Sequence, residues 1–291
     1  MGNKVYLNGK FVDKKDAKIS VFDHGLLYGD GVFEGIRSYS GLVFKLKEHI
    51  DRLYESASLI RLNIGLTKKR MTDLVVATLR KNRLKDAYIR LVVTRGPGDL
   101  GLDPKKCLKR GVIFIITDKI ALYPKTFYDN GLNIITAKTR RNLPLAINPR
   151  IKSLNYLNNI LAKIEASDAG APEAIMLTHD GFVAECTGDN IFIIKDKVLM
   201  TPRVEVGALN GITKNAVIDI ARAGHFRFKE MDMTVLDIYR ADECFLTGTA
   251  AEIVPVVKVD GKIIGTGKPG EITGFLLSEF RKMTKTDGAR Y

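Results

Sequence analysis

Tryptophan is absent from this 291-residue chain, and cysteine and histidine are scarce, at three and four copies. Cys107, Cys186 and Cys244 are widely separated and odd in number, so they form neither a disulfide framework nor a CxxC metal site. His24, His49, His179 and His225 show no ligand spacing such as HExxH, which argues against zinc hydrolysis and against any metal centre. No apolar run approaches the roughly 20 residues that span a bilayer. The opening MGNKVYLNGKF lacks a hydrophobic signal core, and Tyr6 breaks the myristoylation pattern. A cytoplasmic protein with no membrane partner is therefore expected.

Positive charge is what the chain has in excess, at +13 net. The basic residues are scattered, with few dense runs such as KKR at 68–70, and no aromatic-rich basic strand or recognition helix accompanies them. The expected partners are anionic small molecules and not nucleic acid. At this length the chain accommodates two domains or one large one, and buries about three quarters of its unfolded surface.

The patterning is mixed α+β. KVYLNGKFV reads as a hairpin over Asn8-Gly9, and VFEGIRSYSGLVFKL as two strands around Ser40-Gly41. In KEHIDRLYESASLIRL, Ile50, Leu53, Ala57 and Ile60 repeat at helical spacing, and a second helix covers 67–81. AYIRLVVTRG and RGVIFIITDK are apolar strands around the loop GPGDLGLDPKK. Residues 120–131, IALYPKTFYDNG, read as a linker between an N-terminal domain, 1–119, and a larger C-terminal domain, 132–291. In the latter, a helix is expected over 153–169 with Leu154, Leu157, Leu161 and Ile164 on its buried face, and another over 212–223.

Four stretches could carry chemistry. GALNGITKNAVIDIA sets two glycines and Thr213 where a loop becomes a helix, a place that suits a phosphate or a plain N-cap. It does not match the Walker pattern, nor does GDGVFEG match the dinucleotide fingerprint. FLTGTAAE ends a strand in small and hydroxyl residues, either a simple turn or an anion-binding one. FVAECTGDNIF places Glu185 among small and apolar neighbours, where a carboxylate must find a cation or a proton donor. NPRIKSLNYLNN holds Lys152 ahead of a helix with Tyr156 four residues on, either a solvated cation or a shielded amine fit for Schiff-base chemistry. A lysine, a buried acid and anion donors together are what pyridoxal phosphate (PLP) requires.

The motifs FDHGLLYGDGVFEGIR, HIDRL, AYIR, IKSLNYLNN, AECTGDNIF, GITK and TGTAAEIVPV follow one another over nearly the whole chain. In that order and spacing the sequence resembles the class IV aminotransferases, most nearly the branched-chain amino acid enzymes. The resemblance implies the two-domain α+β fold of fold-type IV PLP enzymes, as in D-amino-acid aminotransferase. It further implies a Schiff base at Lys152, Glu185 on the ring nitrogen, Tyr156 on the phenolic oxygen, and the phosphate held by Arg52, Ile212, Thr213 and Thr249. Substrate would meet Tyr28, Phe33, Arg37, Tyr88, Arg90, Thr249 and Ala250. Leu100 and Leu102 would reach the partner's site in a homodimer or higher homo-oligomer. The implied reaction moves the amino group of L-leucine, L-isoleucine or L-valine to 2-oxoglutarate. A D-amino-acid aminotransferase and a 4-amino-4-deoxychorismate lyase are the alternatives, since YGDG occurs in those relatives as well. Some branched-chain enzymes use a pocket tryptophan; here Tyr123 or Phe127 would stand in for it.

Overall fold

The computed structural model describes residues 4–119 and 123–291. Its chain divides into one unit of Met1–Ala121, Ile151–Asn155 and Thr284–Tyr291 and another of Leu122–Arg150 and Tyr156–Met283. Two segments expected in the C-terminal domain therefore belong to the first unit. The reason is strand pairing: Ser153 bridges to Val32, and the C-terminal strand Gly288–Arg290 pairs with Leu42–Phe44. Of the expected linker, residues 120–122 lie outside the described residues, and Lys125–Asn130 form a short helix.

The first unit is a seven-stranded antiparallel sheet. Its strands are β1 (Lys4–Leu7), β2 (Lys10–Asp13), β3 (Gly31–Tyr39), β4 (Leu42–Phe44), β5 (Ala87–Thr94) and β6 (Val112–Asp118), with the C-terminal strand outside β4. The β1–β2 hairpin turns through Asn8 at φ 44° and Gly9 at φ 100°, as a two-residue turn with positive φ at both positions requires. After the one-turn helix α1 (His24–Tyr28) come α2 (Leu46–Leu59) and α3 (Lys68–Asn82), the latter capped by the Thr67 side chain. Ile50, Leu53 and Ala57 of α2 and Met71, Val75 and Leu79 of α3 join Ile36, Ile89 and Leu91 in one apolar core. The helical repeat expected around Ile50 therefore faces inward.

The second unit has a nine-stranded mixed sheet. Along the chain run α4 (Lys125–Asn130), β7 (Leu132–Thr136), α5 (Leu157–Asp168), β8 (Ala174–Leu177), β9 (Val183–Cys186), β10 (Asn190–Lys195) and β11 (Val198–Pro202). There follow α6 (Ile212–Ala223), β12 (Arg227–Met231), α7 (Val235–Tyr239), β13 (Glu243–Gly248), β14 (Glu252–Val259), β15 (Lys262–Ile263) and α8 (Glu271–Met283). The sheet order is β12-β11-β10-β13-β14-β7-β8-β9, with β15 beside β14. Helix α6 packs on β12 and β13, and α8 on β13 and β14. Among the described residues no helix is long and apolar enough to cross a membrane.

Helix α5 corrects one expectation in two ways. It starts at Leu157, so Lys152 lies five residues ahead of it, outside any helix or strand. Its buried residues are Asn159, Ala162 and Ala166, while Leu157, Leu161 and Ile164 are 67, 46 and 49 % exposed. The small residues are what fits closely against Ala174 and Met176 of β8, which turns the large apolar side chains outward.

Candidate active site

In the first unit Lys152 is held by its own backbone. Its carbonyl accepts from Phe33 N–H at 3.0 Å, and its N–H donates to Ser56 Oγ on α2 at 3.1 Å. Leu154 N–H donates to the Gly31 carbonyl at 2.9 Å, so residues 152–154 run beside the start of β3. That approach needs a glycine: a Cβ on Gly31 would lie 2.7 Å from Leu154 Cδ1. The ammonium of Lys152 sits 4.7 Å from the centroid of the Phe33 ring, and the Arg90 guanidinium lies 4.6 Å from the same centroid. One aromatic ring thus serves two cations.

Residues Phe33, Gly35 and Arg37 share a face of β3, because strand side chains alternate. The register sets Arg90 opposite Gly35 and Tyr88 opposite Arg37, on that same face. Arg90 Nη2 donates to the Tyr88 hydroxyl at 3.1 Å, and the Arg37 guanidinium stacks 4.3 Å from the Tyr39 ring centroid. A Cβ on Gly35 would lie 2.2 Å from the Tyr88 hydroxyl, so the tyrosine can cross β3 only over a glycine. The face combines two guanidiniums with aromatic surface, which is the chemistry for a carboxylate and an apolar group alike.

The other face of β3 carries Glu34, which is fully buried. It accepts from Arg52 Nε at 2.7 Å and Nη2 at 2.8 Å, and from His49 Nδ1 at 2.8 Å. Burial alone would raise the Glu34 carboxyl, but the Arg52 charge and the hydrogen bonds from Arg52 and His49 outweigh it and hold the group at about 2. Burial also lowers His49, with the Arg52 and Lys152 charges acting in the same direction against Glu34. His49 is therefore neutral at neutral pH and donates from Nδ1. Sequence reasoning singled out Arg52 but neither of its neighbours. The available signal was a carboxylate in the middle of a strand, with Val32 and Ile36 beside it on the same face.

Tyr28, Leu100 and Leu102 also belong to the first unit. The Tyr28 hydroxyl donates to the Leu100 carbonyl at 2.6 Å, and both leucine side chains are exposed. His24, the buried first residue of α1, contacts the Asp99 carbonyl through Nε2 at 2.8 Å and Cys107 Sγ through Nδ1 at 3.2 Å. These contacts tie the 98–107 loop to α1.

In the second unit Glu185 is buried on β9 and has a partner for each oxygen. Arg141 Nη2 is 2.6 Å from Oε1; the Leu209 N–H at 3.0 Å and Asn190 Nδ2 at 3.2 Å donate to Oε2. Arg141 is buried too, and donates to the Gly207 carbonyl at 3.1 Å and to Asn159 Oδ1 at 2.8 Å. The cation that Glu185 was expected to need is therefore Arg141, a residue the sequence reading did not single out. Tyr156 is the N-cap residue of α5, half-buried, and its side chain takes no part in capping.

Ile212 and Thr213 open α6 and are buried. The N-cap is Gly211, which has no side chain to cap the first N–H groups of the helix. A Cβ at Gly211 would lie 2.0 Å from Asn190 Oδ1, which leaves glycine the only fit. Lys214, buried one residue on, pairs with Glu230 of β12 at 2.7 Å and anchors this helix end. Thr249 and Ala250 lie in the loop joining β13 to β14, and Thr247 Oγ1 just before it is buried without a hydrogen-bond partner. A helix N-terminus without a side-chain cap, an orphaned hydroxyl and a buried carboxylate fit a phosphorylated pyridine. Tyr123 and Phe127 pack 5.7 Å apart against the core of this unit.

The family model of class IV amino-transferases matches residues 31–259. A Methanocaldococcus jannaschii protein provisionally named a branched-chain-amino-acid aminotransferase is 57 % identical, covering 96 % of this chain and 95 % of its own. A Listeria monocytogenes D-alanine aminotransferase is 37 % identical over 95 % of this chain and 94 % of its own. The crystal structure of the branched-chain amino acid aminotransferase from Thermobaculum terrenum, in its PLP-form, superposes with a TM-score of 0.89 at 29 % identity. That match covers 98 % of this chain and 95 % of the other.

Proposed function

The chain belongs to the class IV aminotransferases, and from that premise we propose that it is a PLP-dependent transaminase acting on L-branched-chain amino acids with 2-oxoglutarate as acceptor. The observation that carries this reading is the β3–β5 face, where Lys152 and Arg90 flank Phe33 and where Arg37 and Tyr88 follow. A transaminase must take an apolar side chain in one half-reaction and a carboxylate in the other, and this face offers both surfaces. The M. jannaschii relative, by its name, supports the substrate class, and the PLP-form of the Thermobaculum terrenum enzyme supports the cofactor.

Bound PLP supplies a carbonyl for the substrate nitrogen and a ring that withdraws electrons from Cα. Lys152, through its Nζ, is the residue that would hold the cofactor's carbonyl, and its amine would be the base for the Cα proton. Such positioned proton transfer contributes about 10²–10⁴-fold. Glu185, ion-paired with Arg141, is the residue that would accept from the ring nitrogen. Tyr156 donates to the phenolic oxygen. Arg52, the N–H groups of Ile212 and Thr213, and the Thr249 hydroxyl bind the phosphate. Thr249 and Ala250 also meet the substrate carboxylate, Arg37, Tyr88 and Arg90 the side-chain carboxylate of glutamate, and Phe33 and Tyr28 the apolar side chain.

A second copy of the chain brings Leu100 and Leu102 to the site in a homodimer or larger homo-oligomer. The exposed apolar residues of α5, together with Leu143, Leu145 and Ile147, support self-association. Three free cysteines accord with a reducing compartment such as the cytoplasm.

The test is glutamate formation from 2-oxoglutarate with L-leucine, L-valine or D-alanine as donor. The reading predicts turnover with the L-amino acids. Turnover confined to D-alanine would replace it with the activity named for the Listeria relative, and pyruvate release from aminodeoxychorismate with a lyase.

A further inference from the structure

We propose that Glu252, Arg281 and Tyr128 are positioning residues that clamp the loop 249–251 in its ligand-binding geometry. The inference rests on the assignment of Thr249 and Ala250 to cofactor and substrate above.

Strands β13 and β14 pair up to Gly248 and Glu252, leaving a three-residue hairpin loop, Thr249–Ala250–Ala251. Such loops close by placing one residue in the left-handed region, where glycine is the unstrained choice. Here that residue is Glu252, at φ 60°. If the loop had only to reverse the chain, glycine at 252 would do so without strain. A strained backbone persists where the surroundings over-determine it, most often beside a functional group that must be held still.

The side chain shows what holds it. The Glu252 carboxylate is buried and accepts from Arg281 Nε of α8 at 3.0 Å. The Arg281 guanidinium lies 5.5 Å from the centroid of the Tyr128 ring, and the Tyr128 hydroxyl donates to the Ala251 carbonyl at 2.9 Å. The end of the loop is thus gripped by two helices, α4 and α8, which both pack on β14. Its other leg is confined as well, since a Cβ on Gly248 would lie 1.8 Å from Asp189 Oδ1. Three side chains assigned no contact with ligand therefore fix the loop that presents Thr249.

The clamp acts by keeping the binding-competent loop populated. If its loss leaves the loop competent about a tenth of the time, apparent affinity falls about tenfold. Glu252→Gly tests this without an unfolding risk, because it removes the carboxylate and suits the left-handed backbone. In the holoenzyme, amide exchange over 248–252 should accelerate, PLP retention on dilution should fall about tenfold, and KM for the amino acid should rise more than kcat falls. The melting temperature at saturating PLP should hold or rise. Glu252→Gln, which keeps an acceptor for Arg281, should restore part of the loss, and Tyr128→Phe should give a smaller change in the same direction. Thr249→Val is the companion variant. If it weakens PLP retention while Glu252→Gly and Tyr128→Phe change neither retention nor exchange, the clamp is refuted and the loop assignment stands. If Thr249→Val also leaves retention and KM unchanged, the assignment of the loop fails and the clamp fails with it.

Discussion

Glu34 and Arg52 meet in a two-point ion pair, at 2.7 and 2.8 Å, with the carboxylate wholly buried and the guanidinium nearly so. A fork-to-fork pair fixes the plane of the arginine as well as its position. Proposed to bind phosphate, Arg52 is thereby pre-oriented before any ligand arrives.

The pair makes the protein sensitive to acid. Both Glu34 and His49 titrate lower in the folded chain than in the unfolded one, so the unfolded chain takes up protons first and stability falls on acidification. The His49 contribution is complete above about 6.5 and is lost as pH falls below it. The Glu34 contribution is complete above 4.5 and is lost as pH falls to about 2. The Glu34 shift corresponds to on the order of 3 kcal/mol. The gap in melting temperature between wild type and Glu34→Gln should narrow as pH falls from about 7 to about 3. A constant gap between them would contradict this account.

Arg141→Met should be among the most damaging single changes in the second unit. It leaves the Glu185 carboxylate buried without its cation, a loss of about 3–5 kcal/mol. Arg141→Lys should recover little, because a single ammonium cannot reach Gly207, Asn159 and Glu185 in three directions. Thermal unfolding reads the stability, and the PLP absorbance band reads the state of the ring nitrogen.

Gly35→Ala should push the Tyr88 hydroxyl off β3, at a cost of about 1–3 kcal/mol from overpacking. KM for glutamate should rise more than KM for leucine, since Tyr88 and Arg90 are assigned to the carboxylate. Gly35→Ala with Tyr88→Phe removes the clashing oxygen, so the double variant should be more stable than the sum of the two single changes implies. Additive losses would show that the contact is not what excludes a side chain at 35.

Much of this was legible in the sequence, and the failures have physical causes. Ile50, Leu53 and Ala57 repeat at helical spacing and are buried, because a helix against a sheet hides one stripe. Leu157, Leu161 and Ile164 repeat equally well and face outward. Periodicity tells which residues share a face, not which face is inside. The stripe Asn159, Ala162 and Ala166 goes inward because small residues allow close approach to β8. Lys152 and Glu185 stand out by residue type and motif, whereas Arg141 does not. It stands next to the exposed Arg140, and only a contact between distant segments separates the buried arginine from the solvated one.

Charge placed on the outer face of α5 tests self-association. Leu161→Asp with Ile164→Asp leaves the inner stripe intact, so the fold should persist while sedimentation velocity shows a smaller species. An unchanged sedimentation coefficient would remove this helix from the interface.

In the proposed reaction Lys152 carries the cofactor. The yellow holoenzyme should bleach on borohydride reduction, and peptide mass mapping should then find the phosphopyridoxyl group on the peptide containing Lys152. Lys152→Ala should show no stable label and no turnover. Label on another lysine, or wild-type turnover by Lys152→Ala, would contradict the account.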